Sequence, residues 1–556
     1  MLNKSNKRII VLIGILSIMS LVYLISAESS STLNPGDSIQ DAIDNSSYGD
    51  IIELNDGIYN ADGDYDINVN ITNLTIKAVD GANPIINASG KNKRVFNIIN
   101  DNVTLDGLII TGGNTTGPSS YGNQGGGVYI SGNNAIISNC NITENIANNG
   151  GGVYFGEPNS NVTVTGCNIL SNIATYGGGG VSLRNGGVSN SNIISNIAND
   201  GGGVSITYGN VIACNITNNK NNGIGGGINI FSGSVSACNI NNNIANTGGG
   251  VYFNNNGNVT SCNITGNTAN RNAGGLYKSS NGNISYNRIF NNNAALNGSN
   301  LYIAGSLAYD YNWWGTNNIS LAGISHPSTV SDPDSYFVTQ LSVNDTWTRT
   351  NTTEEFGDNL SLNYRMVLNS TNSSDDVDKL PDFTVTISFT GLFNEVVNAT
   401  TPWSKNITVH GNYIFRCVCD NEDLHIISHP TYDLSLRNNP QGQVVIGTWI
   451  KSTATAIGDS PLPTDYVRFK ITSLSDNIVQ YDHNVPFGGS NSASYNWQLT
   501  KKGTYKVEVW AYDEHGSNVK VPPLGINAMK LSTEYNNPYY NVDYNPHYSV
   551  DYIDVS

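Results

Sequence analysis

The residues of this chain that could do chemistry are few, and their positions limit what that chemistry is. Asp62, Asp64 and Asp66 form the densest acidic set. Ca²⁺ gathers several oxygens from one loop, and a calcium loop of the EF-hand type counted from Asp62 needs glycine sixth and glutamate twelfth. Ile67 and Asn73 stand at those places. The set reads as a solvated turn, and no metal is expected there.

Hydrolysis of a glycosidic bond needs two carboxylates at a fixed separation. From Gly125 to Gly305 the acidic residues are only Glu144, Glu157 and Asp200, and the basic ones Arg184, Lys220, Arg271, Lys278 and Arg288. They fall at different phases of a repeat, so no pair shares a face. The reading is that the chain is not an enzyme. The cysteines are Cys140, Cys167, Cys214, Cys238, Cys262, Cys417 and Cys419, with no Cys-x-x-Cys spacing, and no histidine lies among the repeats. That argues against zinc. Their odd number leaves at least one unpaired, and small buried hydrophobes describe them best. No cofactor is implied.

The elements that position these residues come from an internal repeat. A glycine-rich punctuation ends at Gly127, Gly152, Gly180, Gly203, Gly227, Gly250 and Gly275. Apolar residues follow at the first and third places: Val128/Ile130, Val153/Phe155, Val181/Leu183, Val204/Ile206, Ile228/Ile230 and Val251/Phe253. This alternation is a strand with one buried face. The last copy has Leu276 but Lys278, so the pattern is expected to fail there. In step runs a second unit, Cys-Asn-Ile at 140, 167, 214, 238 and 262 and Ser-Asn-Ile at 191, each followed by Asn145, Asn172, Asn219, Asn243, Asn267 or Asn196.

A unit of this size cannot bury its apolar face alone. Stacked as turns of a coil, with strands about 4.8 Å apart, like residues fall on like. Each asparagine amide then donates to the next rung and accepts from the one before. A leucine-rich horseshoe needs spaced leucines and helix formers, which are absent. The expected fold is all-β: a right-handed parallel β-helix of about eleven turns, roughly 50 Å long.

Asn34-Pro35-Gly36-Asp37-Ser38-Ile39-Gln40-Asp41-Ala42-Ile43, followed by Gly49-Asp50-Ile51-Ile52-Glu53-Leu54 and Gly57-Ile58-Tyr59, resembles the start of pectate-lyase-like β-helix proteins. The resemblance implies a short helix, about Ser38 to Asp44, capping the open coil. The Gly-Gly-Gly-Val and Cys-Asn-Ile units resemble polymorphic outer-membrane repeats and, more closely, adhesin-like archaeal surface proteins. Asn312-Trp313-Trp314-Gly315 is similar to a motif that closes the β-helix in those proteins.

Lys4, Lys7 and Arg8 precede the charge-free run Ile9–Ile25, and Ser26-Ala27 offers a cleavage site. Residues 1–27 thus read as a signal peptide or N-terminal anchor, which puts the rest outside the cell or on its surface. The chain carries −17, and about −20 without that segment, which disfavours nucleic acid and anionic lipid. Membrane contact is expected only through that segment. Residues 28–335 are assigned to the β-helix, 338–436 and 440–530 to immunoglobulin-like sandwiches, and 531–556 to a tyrosine-rich tail without regular structure. Gly503-Thr504-Tyr505 matches the opening of a tyrosine-corner strand. About twenty Asn-x-Ser/Thr sites are close to the number that chance gives in a chain so rich in these residues.

The functional expectation is an exported, adhesin-like rod. Its outward Tyr129, Tyr154, Tyr252 and Tyr277, among many asparagines, would contact extracellular carbohydrate or a surface protein. Two other readings stand beside it. One is a polysaccharide lyase or hydrolase with its site in residues 60–70 or 112–124; the other is a structural component of the envelope.

Overall fold

The computed structural model describes residues 29–555 apart from 118–121, 157–160, 306–307, 357–358, 410–412, 431–432, 440–446, 448, 458–465, 475, 487–491, 502, 514–526 and 531–547. Residues 1–27, read as signal or anchor, lie outside the described part. Among the described residues, no helix is long and apolar enough to cross a membrane.

Residues 30–325 form a parallel β-solenoid of about 12 turns. Its wall is a wide sheet of 19 short strands, a second sheet of ten and a narrow third of seven. The sequence repeat is the physical register. Val128 pairs with Val153, Val153 with Val181, Val181 with Val204, and so on to Leu301 and Ile324. The column also runs back to Ile67 and Phe96, where the glycine punctuation is missing from the sequence.

Corner glycines are required for contact as well as conformation. A Cβ on Gly226 would meet the carbonyl oxygen of Gly249 at 2.3 Å. At the open end, the Ile39–Asp44 helix buries Ile39 and Ile43, with Ser38 accepting from the Asp41 amide.

Inside the coil run polar ladders as well as an apolar core. Asn145, Asn172, Asn196, Asn219, Asn243 and Asn267 are fully buried. The Asn219 carboxamide oxygen accepts from the Asn196 backbone N–H at 2.9 Å and from its Nδ2 at 3.1 Å. Asn219 Nδ2 donates in turn to Asn243 at 3.0 Å and to the Ile193 carbonyl at 2.8 Å. The expected ladder is therefore present, and each buried amide is satisfied by its neighbours.

The repeat does not fail at Lys278. Leu276, Tyr277 and Lys278 pair in register with Leu301, Tyr302 and Ile303. Lys278 occupies an inward position and is fully buried, with Nζ donating to the Asn255 carbonyl and lying 4.2 Å from the centre of the Phe253 ring. Its long apolar stem fills the space that isoleucine fills elsewhere.

The chain then turns to antiparallel sheets that form sandwich-like modules. Sheets of four and five strands enclose one core between Phe337 and Ile426. Further sheets of three and five strands follow, and the Asp433–Asn439 strand pairs with Trp449–Ile457. Tyr505, 1% exposed, donates its hydroxyl to the Lys501 carbonyl at 3.0 Å, which is the tyrosine-corner contact that its sequence predicts. One expectation for the tail is corrected. Tyr548–Val555 forms a strand against Gly503–Asp513, with Tyr548, Val550 and Tyr552 alternating with Ser549 and Asp551, while residues 531–547 of the tail lie outside the described part.

Candidate ligand-binding site

The four tyrosines singled out in the sequence share one outward column of the wide sheet. Each is the middle residue of a three-residue strand whose neighbours point into the core. The column reads Asn97, Tyr129, Tyr154, Ser182, Ser205, Asn229, Tyr252, Tyr277, Tyr302 and Ser325.

They form two stacks. Tyr129 and Tyr154 lie 5.7 Å apart at 11°. Tyr252 and Tyr277 lie 4.6 Å apart at 3°, and Tyr302 extends that stack at 5.4 Å and 8°. In-register strands force this geometry, so the ring faces look along the coil axis. Arg94 covers Tyr129 from the N-terminal side, 4.7 Å from the ring centre.

Tyr302 belongs to the site and was not among the sequence candidates. Its signal was available: it sits between Leu301 and Ile303, one repeat after Leu276-Tyr277-Lys278. Partial burial raises the Tyr252 and Tyr277 hydroxyls above the ordinary tyrosine range. They remain neutral hydrogen-bonding groups near pH 7.

Between the stacks lie Ser182, Ser205 and Asn229. The two tyrosine rungs are four steps apart, roughly 19 Å at about 4.8 Å per step. On the same face, Tyr208 and Phe231 pack edge to face at 5.9 Å and 82°, and they are 50% and 38% exposed. This exposed aromatic pair also escaped the sequence reading, because it lies where the usual break between strands is absent.

The acidic set at 62–66 lies in a turn with Asp62 exposed, and its reading as solvated is corrected for Asp64 alone. Asp64 is fully buried and accepts the backbone N–H groups of Ile39 and Ala61, both at 3.1 Å. It thereby holds the start of the capping helix on the coil. Burial raises its carboxyl. Asp62 accepts from the Tyr65 hydroxyl at 2.5 Å, and Asp66 pairs with Lys93 at 2.7 Å. Of the sparse acids in the array, Asp200 accepts the Ile224 N–H at 3.3 Å at a corner of the wide sheet, while Glu144 lies after the Asn141–Thr143 strand of the second sheet. Glu157 lies outside the described residues.

Among the described residues, no group of three or more His, Cys, Asp or Glu side chains is placed to hold a metal. All seven cysteines are unbridged and buried. In the solenoid they stack as a ladder in which the Cys214 N–H meets the Cys238 sulfur at 3.4 Å and the Cys238 N–H meets that of Cys262 at 3.4 Å.

No protein-family model and no curated protein matches the chain. Among solved structures, trypsin-activated α2-macroglobulin from Escherichia coli aligns at 9% identity over 32% of this chain and 15% of its own, with TM-score 0.14. The native conformation of that macroglobulin gives the same score and identity over 32% and 13%. The chicken CNTN1 FN1–FN3 domains align at 12% identity over 30% and 66%, with TM-score 0.12. This chain thus spans only a small part of the macroglobulin. Likenesses this slight carry no argument about what the chain does.

Proposed function

We propose that this chain is an exported, adhesin-like surface protein whose solenoid presents a binding face to extracellular carbohydrate or to another surface protein. The observation that carries the reading is the outward column of two tyrosine stacks separated by serine and asparagine. Stacked rings are held with little side-chain freedom left to lose, so contact with them costs little ordering entropy. Hydroxyls and carboxamides between them both donate and accept. The basic and apolar N-terminus supports export, and the sandwich modules suit a pedestal. The resemblance of the repeats to archaeal adhesin-like proteins points the same way.

The test is attachment. Cells lacking the protein are expected to lose adhesion to a surface or partner that wild-type cells hold, and normal attachment across such a panel would contradict the reading. One observation favours the second reading, a structural envelope component. The narrow sheet exposes Ile173, Ile197 and, beyond Lys220, Ile244 in one column, at 39%, 43% and 39%. Ordered two-dimensional assembly of the pure protein would support it.

A further inference from the structure

Three consecutive turns of the wide sheet differ from their neighbours. Val181–Ser189, Val204–Ile212 and Ile228–Ser236 are unbroken strands of nine residues each. The following turn breaks the same path into Val251–Phe253 and Gly257–Thr260, and the preceding one into Val153–Phe155 and Val162–Thr165. The unbroken strands make a continuous three-strand floor whose inward–outward alternation breaks at one column of glycines. Gly186, Gly209 and Gly233 stack in register along it, so no side chain rises there. A Cβ on Gly233 would meet the Gly209 carbonyl oxygen at 1.7 Å, which keeps the column glycine.

We infer that this floor binds a neutral glycan chain, with Tyr252 as its aromatic wall and Ser182, Ser205 and Asn229 as its polar contacts. The inference rests on the adhesin reading and names the site and the ligand class.

Three observations select that occupant. Tyr252 turns one ring face onto Tyr277, and the other looks over Asn229 toward the floor, as a saccharide ring requires for stacking. Among the described residues, no hydrogen bond ties the side chains of Ser182, Ser205 or Asn229, which leaves two hydroxyls and an amide to meet sugar hydroxyls. Charge is sparse, with Arg184 on the floor and Asp200 at its edge, so a polyanion finds no cluster of cations. A peptide strand is disfavoured on separate grounds. Peptides add to a sheet through free main-chain groups at an edge. These strands are hydrogen-bonded on both sides, Val204–Ile212 to Val181–Ser189 and to Ile228–Ser236. The Tyr208–Phe231 pair adds an exposed apolar platform on the floor.

The test measures binding of xylohexaose, mannohexaose, cellohexaose and polygalacturonate to the purified protein by calorimetry, with folding checked by circular dichroism. At least one neutral hexasaccharide is expected to bind. Ser205→Trp, which fills the floor, and Tyr252→Ala are each expected to weaken it by about tenfold or more, and Tyr48→Ala, an exposed ring at the capped end of the coil, by less than about twofold. Neutral-sugar binding that survives Ser205→Trp but falls with Tyr129→Ala would overturn this site and leave the adhesin reading standing. Binding of polygalacturonate alone would overturn the neutral ligand class. No binding of any probe by a protein that still confers attachment on cells would overturn the glycan assignment without touching adhesion.

Discussion

Trp313 and Trp314 are adjacent in the chain but bury in different cores. Trp314, 1% exposed, packs into the solenoid, and Trp313, fully buried, packs into the first sandwich. The reason is register. Arg288 pairs with Trp313 in the final rung, so Asn312-Trp313-Trp314 is the last copy of the Cys-Asn-Ile unit, with its middle residue outward and its third inward. Trp313 Nε1 donates to Asp420 at 2.6 Å, and the Arg288 guanidinium grips the same carboxylate at 2.9 and 2.5 Å. The Asp420 side chain is only 4% exposed.

Removing either side of this joint is expected to be costly. Trp313→Ala empties a buried site worth about 3–5 kcal/mol. Asp420→Ala leaves the partly buried Arg288 cation and the buried Trp313 N–H without their shared acceptor, at a cost of about 2–4 kcal/mol. Both variants should lower the calorimetric unfolding temperature of the first sandwich and open the joint to protease. An unchanged thermogram would mean that the sandwich stands independently of the coil.

The inner asparagine ladder makes a sharper local prediction. Asn219→Ala leaves the Asn196 N–H and Nδ2 without their acceptor, and each unmet buried group costs about 1–3 kcal/mol. Asn192→Ala, on the outward ladder, loses one exposed bond to Asn168 and should cost under about 1 kcal/mol. Denaturant unfolding of the two variants compares them directly. Equal effects would contradict the ladder's role.

Lys278 sets a pH dependence. Burial pushes its amine down from 10.5 to about 8. Between about 8 and 10.5 the unfolded chain holds a proton that the folded one has lost, so this residue's contribution to stability rises with pH in that window. Below about 8 both states are protonated and the burial penalty is constant. Lys278→Met should therefore stabilise the protein at neutral pH by as much as about 3 kcal/mol. It should also flatten the rise between about 8 and 10.5 relative to wild type. Parallel stability–pH curves for the two proteins would contradict the burial.

The thiols are expected to be inert while the protein is folded. Burial pushes Cys140, Cys417 and Cys419 up, and the neighbouring Cys238 thiol, together with burial, does so for Cys214. A thiol reagent should titrate none of the seven in the native protein and all seven in guanidinium. Rapid native labelling would contradict their place in the core.

Much of the solenoid was legible because its register is the sequence repeat itself: aligned glycines and Cys-Asn-Ile units are the residues that pair. What escaped notice lay where residue types changed while positions did not. Lys278 stands for isoleucine, Asn287 and Asn312 continue the cysteine column, and Trp313-Trp314 replace Asn-Ile, so a search for like residues lost the pattern there. Tyr302 was lost for the same reason. Asp64 was misread because its partner, the Ile39 N–H, is distant in sequence, and a solvated acid and a buried helix-holding acid look alike along a chain.

The most direct test incubates the purified protein with Ca²⁺ and a panel of cell-wall and host polysaccharides, recording retention and polymer length together. Retention of a polymer at unchanged length is the predicted result. Shortening of any polymer would contradict the account and redirect attention to the irregular loops between residues 60–70 and 112–124.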